Sequence, residues 1–158
     1  MNILVAMPAG EVRDSFIPSD VRAQLEKLGT VVWNEDGRNW TEDELAAHIG
    51  HIDVCVLGWG CPPVGEKALA HADVLRAVLH TGGSVAGYAT EAVYDRHIPV
   101  LSGNELYARS RLPMKPCSSW SHTSKSTMMR MVLKPVRRAS ASSRSAVAMC
   151  ASASCCCH

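Results

Sequence analysis

The feature that most constrains this chain is a recurrence in its first 110 residues, where short runs of Val, Ile and Leu alternate with stretches whose apolar residues fall three or four apart. Runs that are apolar at every position suit strands buried on both faces, and the helical spacing suits segments lying across them. "NILVAMP" (2–8) reads as the first strand. "SDVRAQLEKLG" (19–29) reads as a helix, with Ser19 or Asp20 as N-cap, Val21, Leu25 and Leu28 on one face and Gly29 as the stop. "TVVWN" (30–34) is a second strand, and "TEDELAAHIG" (41–50) is a helix opened by the capping-box pair Thr41 and Glu44 and closed at Gly50. The alternation continues as strand 53–59, helix 64–72, strand 74–80, helix 89–97 and strand 98–103. Repeated β-α units predict an α/β fold of the flavodoxin-like kind, a parallel sheet with helices on both faces.

Charge divides the chain at Ser110. All 15 Asp and Glu lie in residues 1–110 beside 8 Lys and Arg, a balance of −7; residues 111–158 carry 8 Lys and Arg and no acid, +8. Five of the seven cysteines (Cys117, Cys150, Cys155, Cys156 and Cys157) also fall in the second part. A length of 158 residues suits one domain with a sizeable core, so residues 1–110 are read as that domain. Residues 111–158 show no period and no caps, with too few large apolar groups to offset the entropy of ordering them; they are expected to be a disordered or non-native tail. The N-terminus has no basic segment followed by a long apolar run, so the expectation is a cytoplasmic protein, with no signal peptide, no membrane span and reduced thiols at Cys55 and Cys61.

Open parallel sheets collect ligands at the carboxyl ends of their strands. The loops to weigh are therefore "MPAGEV", "GWGCPPV" and "HTGGSVAGY", after the first, third and fourth strands. Gly82 and Gly83 let the backbone turn tightly and approach a ligand, and the amides of a helix starting just beyond would favour a carboxylate; chain reversal alone is the plainer use of the same glycines. No Gly-x-Gly-x-x-Gly follows the first strand, so this part of the chain carries no dinucleotide fingerprint. His48, His51, His71 and His97 accompany helical runs and read as surface residues, and His80 is a weak pocket candidate.

Residues 74–110, "VLRAVLHTGGSVAGYATEAVYDRHIPVLSGNELYARS", resemble the substrate domain of the D-isomer-specific 2-hydroxyacid dehydrogenases, the family of phosphoglycerate dehydrogenase-like enzymes. The match in layout extends over residues 1–110, with His80, "TGGSV", "EAVYDRHIPV" and "GNELYARS" in the family's order. The resemblance implies an oxidoreductase that moves a hydride between NAD(H) and a 2-hydroxy or 2-oxo acid, commonly as a homodimer. It implies that Gly82, Gly83, Ser84 and Val85 bind the substrate carboxylate, that Trp59 and Gly60 line the pocket, and that Asn104 and Tyr107 approach the cofactor. Ser84 departs from the glycine more usual in that loop. The family's catalytic Arg, Glu and His and its Gly-rich cofactor loop have no counterpart among the 158 residues, so no catalytic residue is assigned and the chain alone is expected to be inactive.

Three other readings are weighed. "CCCH" lacks the spacers that let thiolates surround a metal ion, so no metal is expected. The basic second part is not interleaved with aromatics, so no nucleic-acid partner is expected either. A reading frame shifted after Ser110 accounts for the loss of acids and the Arg, Ser and Cys bias together. Against the dehydrogenase reading stands a stand-alone flavodoxin-like module for a small ligand or a response regulator, which calls for acids or a phosphate loop after the first strand; "MPAGEV" offers neither convincingly.

Overall fold

A parallel strand buried on both faces needs its neighbours in the same sheet, and the structure, a computed structural model that describes residues 1–103, supplies them. The elements are β1 (Asn2–Pro8), α1 (Glu11–Phe16), α2 (Ser19–Glu26), β2 (Thr30–Asn34), α3 (Glu42–His48), β3 (Val54–Leu57), α4 (Glu66–Leu69), β4 (Ala77–His80), α5 (Glu91–Asp95) and β5 (Val100–Ser102). The strands form one all-parallel sheet in the order β2-β1-β3-β4-β5. This is the flavodoxin-like arrangement, and its strand order reverses between β1 and β3. Right-handed crossovers then put α1 and α2 on one face and α3, α4 and α5 on the other, in keeping with the packing of α3 on α4 and α4 on α5.

The core follows from the apolar runs. Ile3 to Met7 of β1, Val54 to Leu57 of β3 and Ala77 to His80 of β4 are all buried. Val21 and Leu25 of α2 are buried on the expected face, as are Leu45 and Ala46 of α3. The α3 start has the expected capping box, the Thr41 hydroxyl accepting from the Glu44 N–H and the Glu44 carboxylate from the Thr41 N–H. Arg38 reaches the same carboxylate at 2.9 Å. Its hydrogen bond and the Thr41 N–H hold Glu44 down at a pKa of about 2.

The structure corrects several boundaries. Pro18, not Ser19 or Asp20, is the N-cap of α2; its carbonyl accepts from the Val21 and Arg22 amides, both at 2.9 Å. The left-handed residue after α3 is His51 (φ 61°) and not Gly50. A helix of six residues, α1, stands where "MPAGEV" reads as loop, too short to show a period in sequence. Helices expected over 64–72 and 89–97 shrink to Glu66–Leu69 and Glu91–Asp95. Their later starts follow from a parallel bridge between Val64 and Ala89, which ties the segments before both helices into extended backbone. The three later strands are also shorter than expected, because Gly58, Trp59, Val74, Leu75, Ile98 and Gly103 lie outside the ladder. The proposed tail, 111–158, lies outside the described residues.

Candidate functional site

The turns that leave β3 and β4 build one site. After β3 the chain folds back at once, the Cys61 N–H reaching the Gly58 carbonyl at 3.2 Å and the Gly58 N–H reaching Cys61 Sγ at 3.3 Å. This turn throws Trp59 outward, 42 % exposed, with its ring edge-on to Phe16 of α1 at 5.2 Å. Gly60 takes φ 80° against the Asn39 side chain, a conformation open to glycine and closed to a bulky residue. After β4 the chain runs through Thr81 and Gly82, both buried, and reaches the surface at Ser84. The N–H groups of Tyr88 and Ala89 both turn back onto the Val85 carbonyl.

His80 links the two turns. It ends β4 and is buried, and its Nδ1 accepts the Gly82 N–H at 3.1 Å. That bond fixes the neutral tautomer, with the proton on Nε2. Nε2 has no hydrogen-bond partner among the described residues. Burial pushes the imidazole below its ordinary pKa, opposed by the Gly82 and Gly58 backbone. The Tyr88 ring stacks on His80 at 4.1 Å, and its hydroxyl accepts the Gly60 N–H at 3.3 Å. The Val64–Ala89 bridge and the Thr90 hydroxyl on the Val64 carbonyl, 3.0 Å, fasten the turns a second time. A Cβ on Gly82 would stand 2.6 Å from Trp59 Nε1 and 2.7 Å from His80 Cε1, so both rings close on that one backbone position.

The loop beyond is chemically open. Among the described residues no acceptor meets the N–H groups of Gly83, Ser84 and Val85, while Gly82 is committed to His80. Successive unpaired amides are suited to a carboxylate, which accepts several N–H bonds at once. The structure thus brings Trp59, Gly60 and Gly82 together, with Gly83, Ser84 and Val85 continuing from them. It corrects one expectation: α5 starts at Glu91, six residues past Val85 and only five residues long, so its N-terminus does not supply the loop's amides.

Asn104 and Tyr107 lie outside the described residues. The described residues do not fit a dinucleotide: Gly10 is the lone glycine of the turn after β1, and it opens a helix of only six residues. Two surface grooves flank α4 and α5, away from this loop; acids outnumber the one cation in each, Glu66 and Asp95 against Arg96 in one and Glu42, Glu66 and Glu91 against Lys67 in the other. His48, His51, His71 and His97 are exposed, as expected. Cys55 and Cys61 are free and buried, and burial pushes both thiols up, which leaves them protonated and unreactive. Among the described residues no group of His, Cys, Asp and Glu could hold a metal, and no helix is long and apolar enough to cross a membrane. Sequence reasoning missed Tyr88; its signal was an aromatic with a polar tip a few residues past a glycine turn. No family model and no curated protein matches the chain.

Proposed function

We propose that residues 1–110 are the first segment of the substrate domain of an NAD-dependent D-2-hydroxyacid dehydrogenase, and that the loop of Gly83, Ser84 and Val85 receives the carboxylate of a 2-hydroxy or 2-oxo acid. The observation that carries this reading is the set of amides without an acceptor among the described residues at the carboxyl end of β4, which continues from Gly82 where Trp59 and His80 meet. The parallel sheet and the position of the loop at its strand ends support it. Because no residue matches the family's catalytic trio, the proposed role of the 158-residue chain is binding without turnover. On composition, residues 111–158 are read as a shifted frame; genomic sequence beyond codon 110 with no Gly-x-Gly-x-x-Gly in any frame would overturn that reading. The proposed compartment is the cytoplasm, in keeping with the free thiols of Cys55 and Cys61.

Titration calorimetry with oxalate and pyruvate tests the proposal. Gly83→Pro deletes one amide, and its expected effect is a loss of about tenfold in oxalate affinity with the circular dichroism spectrum unchanged. Equal oxalate binding by both chains would remove the loop from the site. Oxidation of NADH by the 158-residue chain with any 2-oxo acid would overturn the claim that it binds without turnover.

A further inference from the structure

A buried imidazole that accepts a backbone N–H is an unusual anchor, because protonation turns its acceptor nitrogen into a donor. His80 is such an anchor. Nδ1 holds the Gly82 N–H at 3.1 Å, the ring is 1 % exposed, and Tyr88 lies over its face. Gly82 is the residue from which the open amides of the loop lead, and its carbonyl accepts the Gly103 N–H at 3.0 Å. The His80 carbonyl takes the same Gly103 N–H at 3.2 Å, so the backbone around the ring is tied on the β5 side as well.

We propose that His80 is a positioning residue: its neutral ring holds the Gly82 amide, and through it the loop 83–85, in the form that receives an anion, and protonation of Nδ1 releases that loop. The proposal rests on the carboxylate reading of the loop for its ligand, but not for the coupling between ring and backbone. On acidification an imidazolium would place two like-directed donors, Nδ1–H and Gly82 N–H, at hydrogen-bond distance from each other. One must move, and Gly82 leads to the surface residue Ser84, whereas His80 is clamped between Tyr88 and the β4 ladder.

Among the described residues the ring has no charged neighbour to complicate this titration. Burial disfavours its charged form and outweighs the Gly82 and Gly58 backbone, which favours it. The rings about it are Tyr88 and Trp59. The Cys61 thiol, bonded to the Gly58 N–H, stays protonated because burial raises it. Simple electrostatics predicts that an anion binds more tightly as a nearby histidine gains charge. The positioning role predicts the opposite sign, which makes the two separable.

The test uses the whole 158-residue chain labelled with nitrogen-15. The expected result is an Nε2–H tautomer at high pH, with the Gly82 amide signal moving at the same midpoint as the His80 ring, below the ordinary 6.5. Oxalate affinity is expected to fall as pH drops through that midpoint, by about tenfold per pH unit below it. His80→Asn sets an amide oxygen near the Nδ1 position and is expected to keep oxalate binding without the pH dependence. His80→Gln, which sets its amide near Nε2 instead, is expected to bind weakly at every pH. A Gly82 amide that does not follow the His80 ring, or oxalate binding that strengthens on acidification, would overturn the proposal. Absence of oxalate binding in the parent chain at every pH would overturn the carboxylate reading, while the Gly82 amide still decides the role of His80 by itself.

Discussion

Asn34 and His80 end β2 and β4 at the carboxyl end of the sheet, and both are buried polar side chains, yet their bonding capacity is committed in opposite ways. Asn34 gives its Nδ2 to the Ala6 carbonyl at 3.1 Å and the Arg38 carbonyl at 3.0 Å, and its Oδ1 takes the Asp36 N–H at 3.0 Å. The Asn34 carbonyl accepts Arg13 Nη1 at 2.9 Å, and Arg13 also meets Glu35 at 3.3 Å. The end of β2 is closed upon itself. His80 makes one side-chain bond and leaves Nε2 unpaired among the described residues, beside a loop with open amides. A fully satisfied buried polar group is scaffold, and a partly satisfied one beside a strand end marks where ligand chemistry is available.

The largest expected effect lies at the closed end. Asn34→Leu strips its partner from the buried Ala6 carbonyl and from the part-buried Arg38 carbonyl and Asp36 amide, and urea unfolding is expected to show a loss of about 3 kcal/mol. A loss below about 1 kcal/mol would mean that this network is dispensable and would erase the contrast. Next comes Gly82→Ala, whose methyl would press on Trp59 Nε1 and His80 Cε1; the expected cost is about 2 kcal/mol, partly recovered in the double variant with Trp59→Ala. No recovery would mean that the two rings do not meet at Gly82.

Thr41→Ala probes the cap of α3, which is joined to the Asn34 network through Arg38. Loss of the α3 cap is expected to cost about 1 kcal/mol in thermal unfolding and to leave oxalate binding untouched. Its Glu44 partner adds a pH signature: the carboxyl is held at about 2 in the fold, so its stabilising effect is complete above the unfolded value and is lost as pH falls toward about 2. Glu44→Gln is expected to flatten that part of the acid unfolding curve. The smallest effect is expected at His80→Leu, within about 1 kcal/mol, because the relief of the unpaired Nε2 offsets the stranded Gly82 amide. With its folded pKa depressed, His80 contributes a loss of stability as pH falls from 6.5 toward the folded value, and this variant is expected to remove it. A cost as large as that of Asn34→Leu would make the two strand ends alike.

Much of this molecule is legible from local pattern. The bounds of β1 and β2, the Thr41 and Glu44 cap and the buried face of α2 depend on neighbours within a few residues, where periodicity and capping chemistry act directly. The shortening of α4 and α5 is different in kind. Val64 and Ala89 lie 25 positions apart, and nothing in either segment announces a bridge to the other. The same holds for Arg13, a buried cation whose partners, the Asn34 carbonyl, Glu35 and the Trp33 ring, come from the end of the next strand and just beyond it.

The candidate site divides along the same line. Its loop was visible as "TGGSV" after an apolar run, and Trp59 and Gly60 stood at the end of another, because strand ends and glycine turns are written locally. The meeting of Trp59, His80 and Tyr88 around Gly82 was not, since it depends on β3 and β4 being neighbours in register and on two turns folding toward each other. Nor did composition show which amides remain open, because a donor is free only once every other partner in the fold has been placed. Local chemistry settled the class of sheet and the loops worth weighing. Packing between distant segments settled that His80 anchors one of those loops, because a hydrogen bond or a ring stack exists only where the folded chain has already brought both partners within reach.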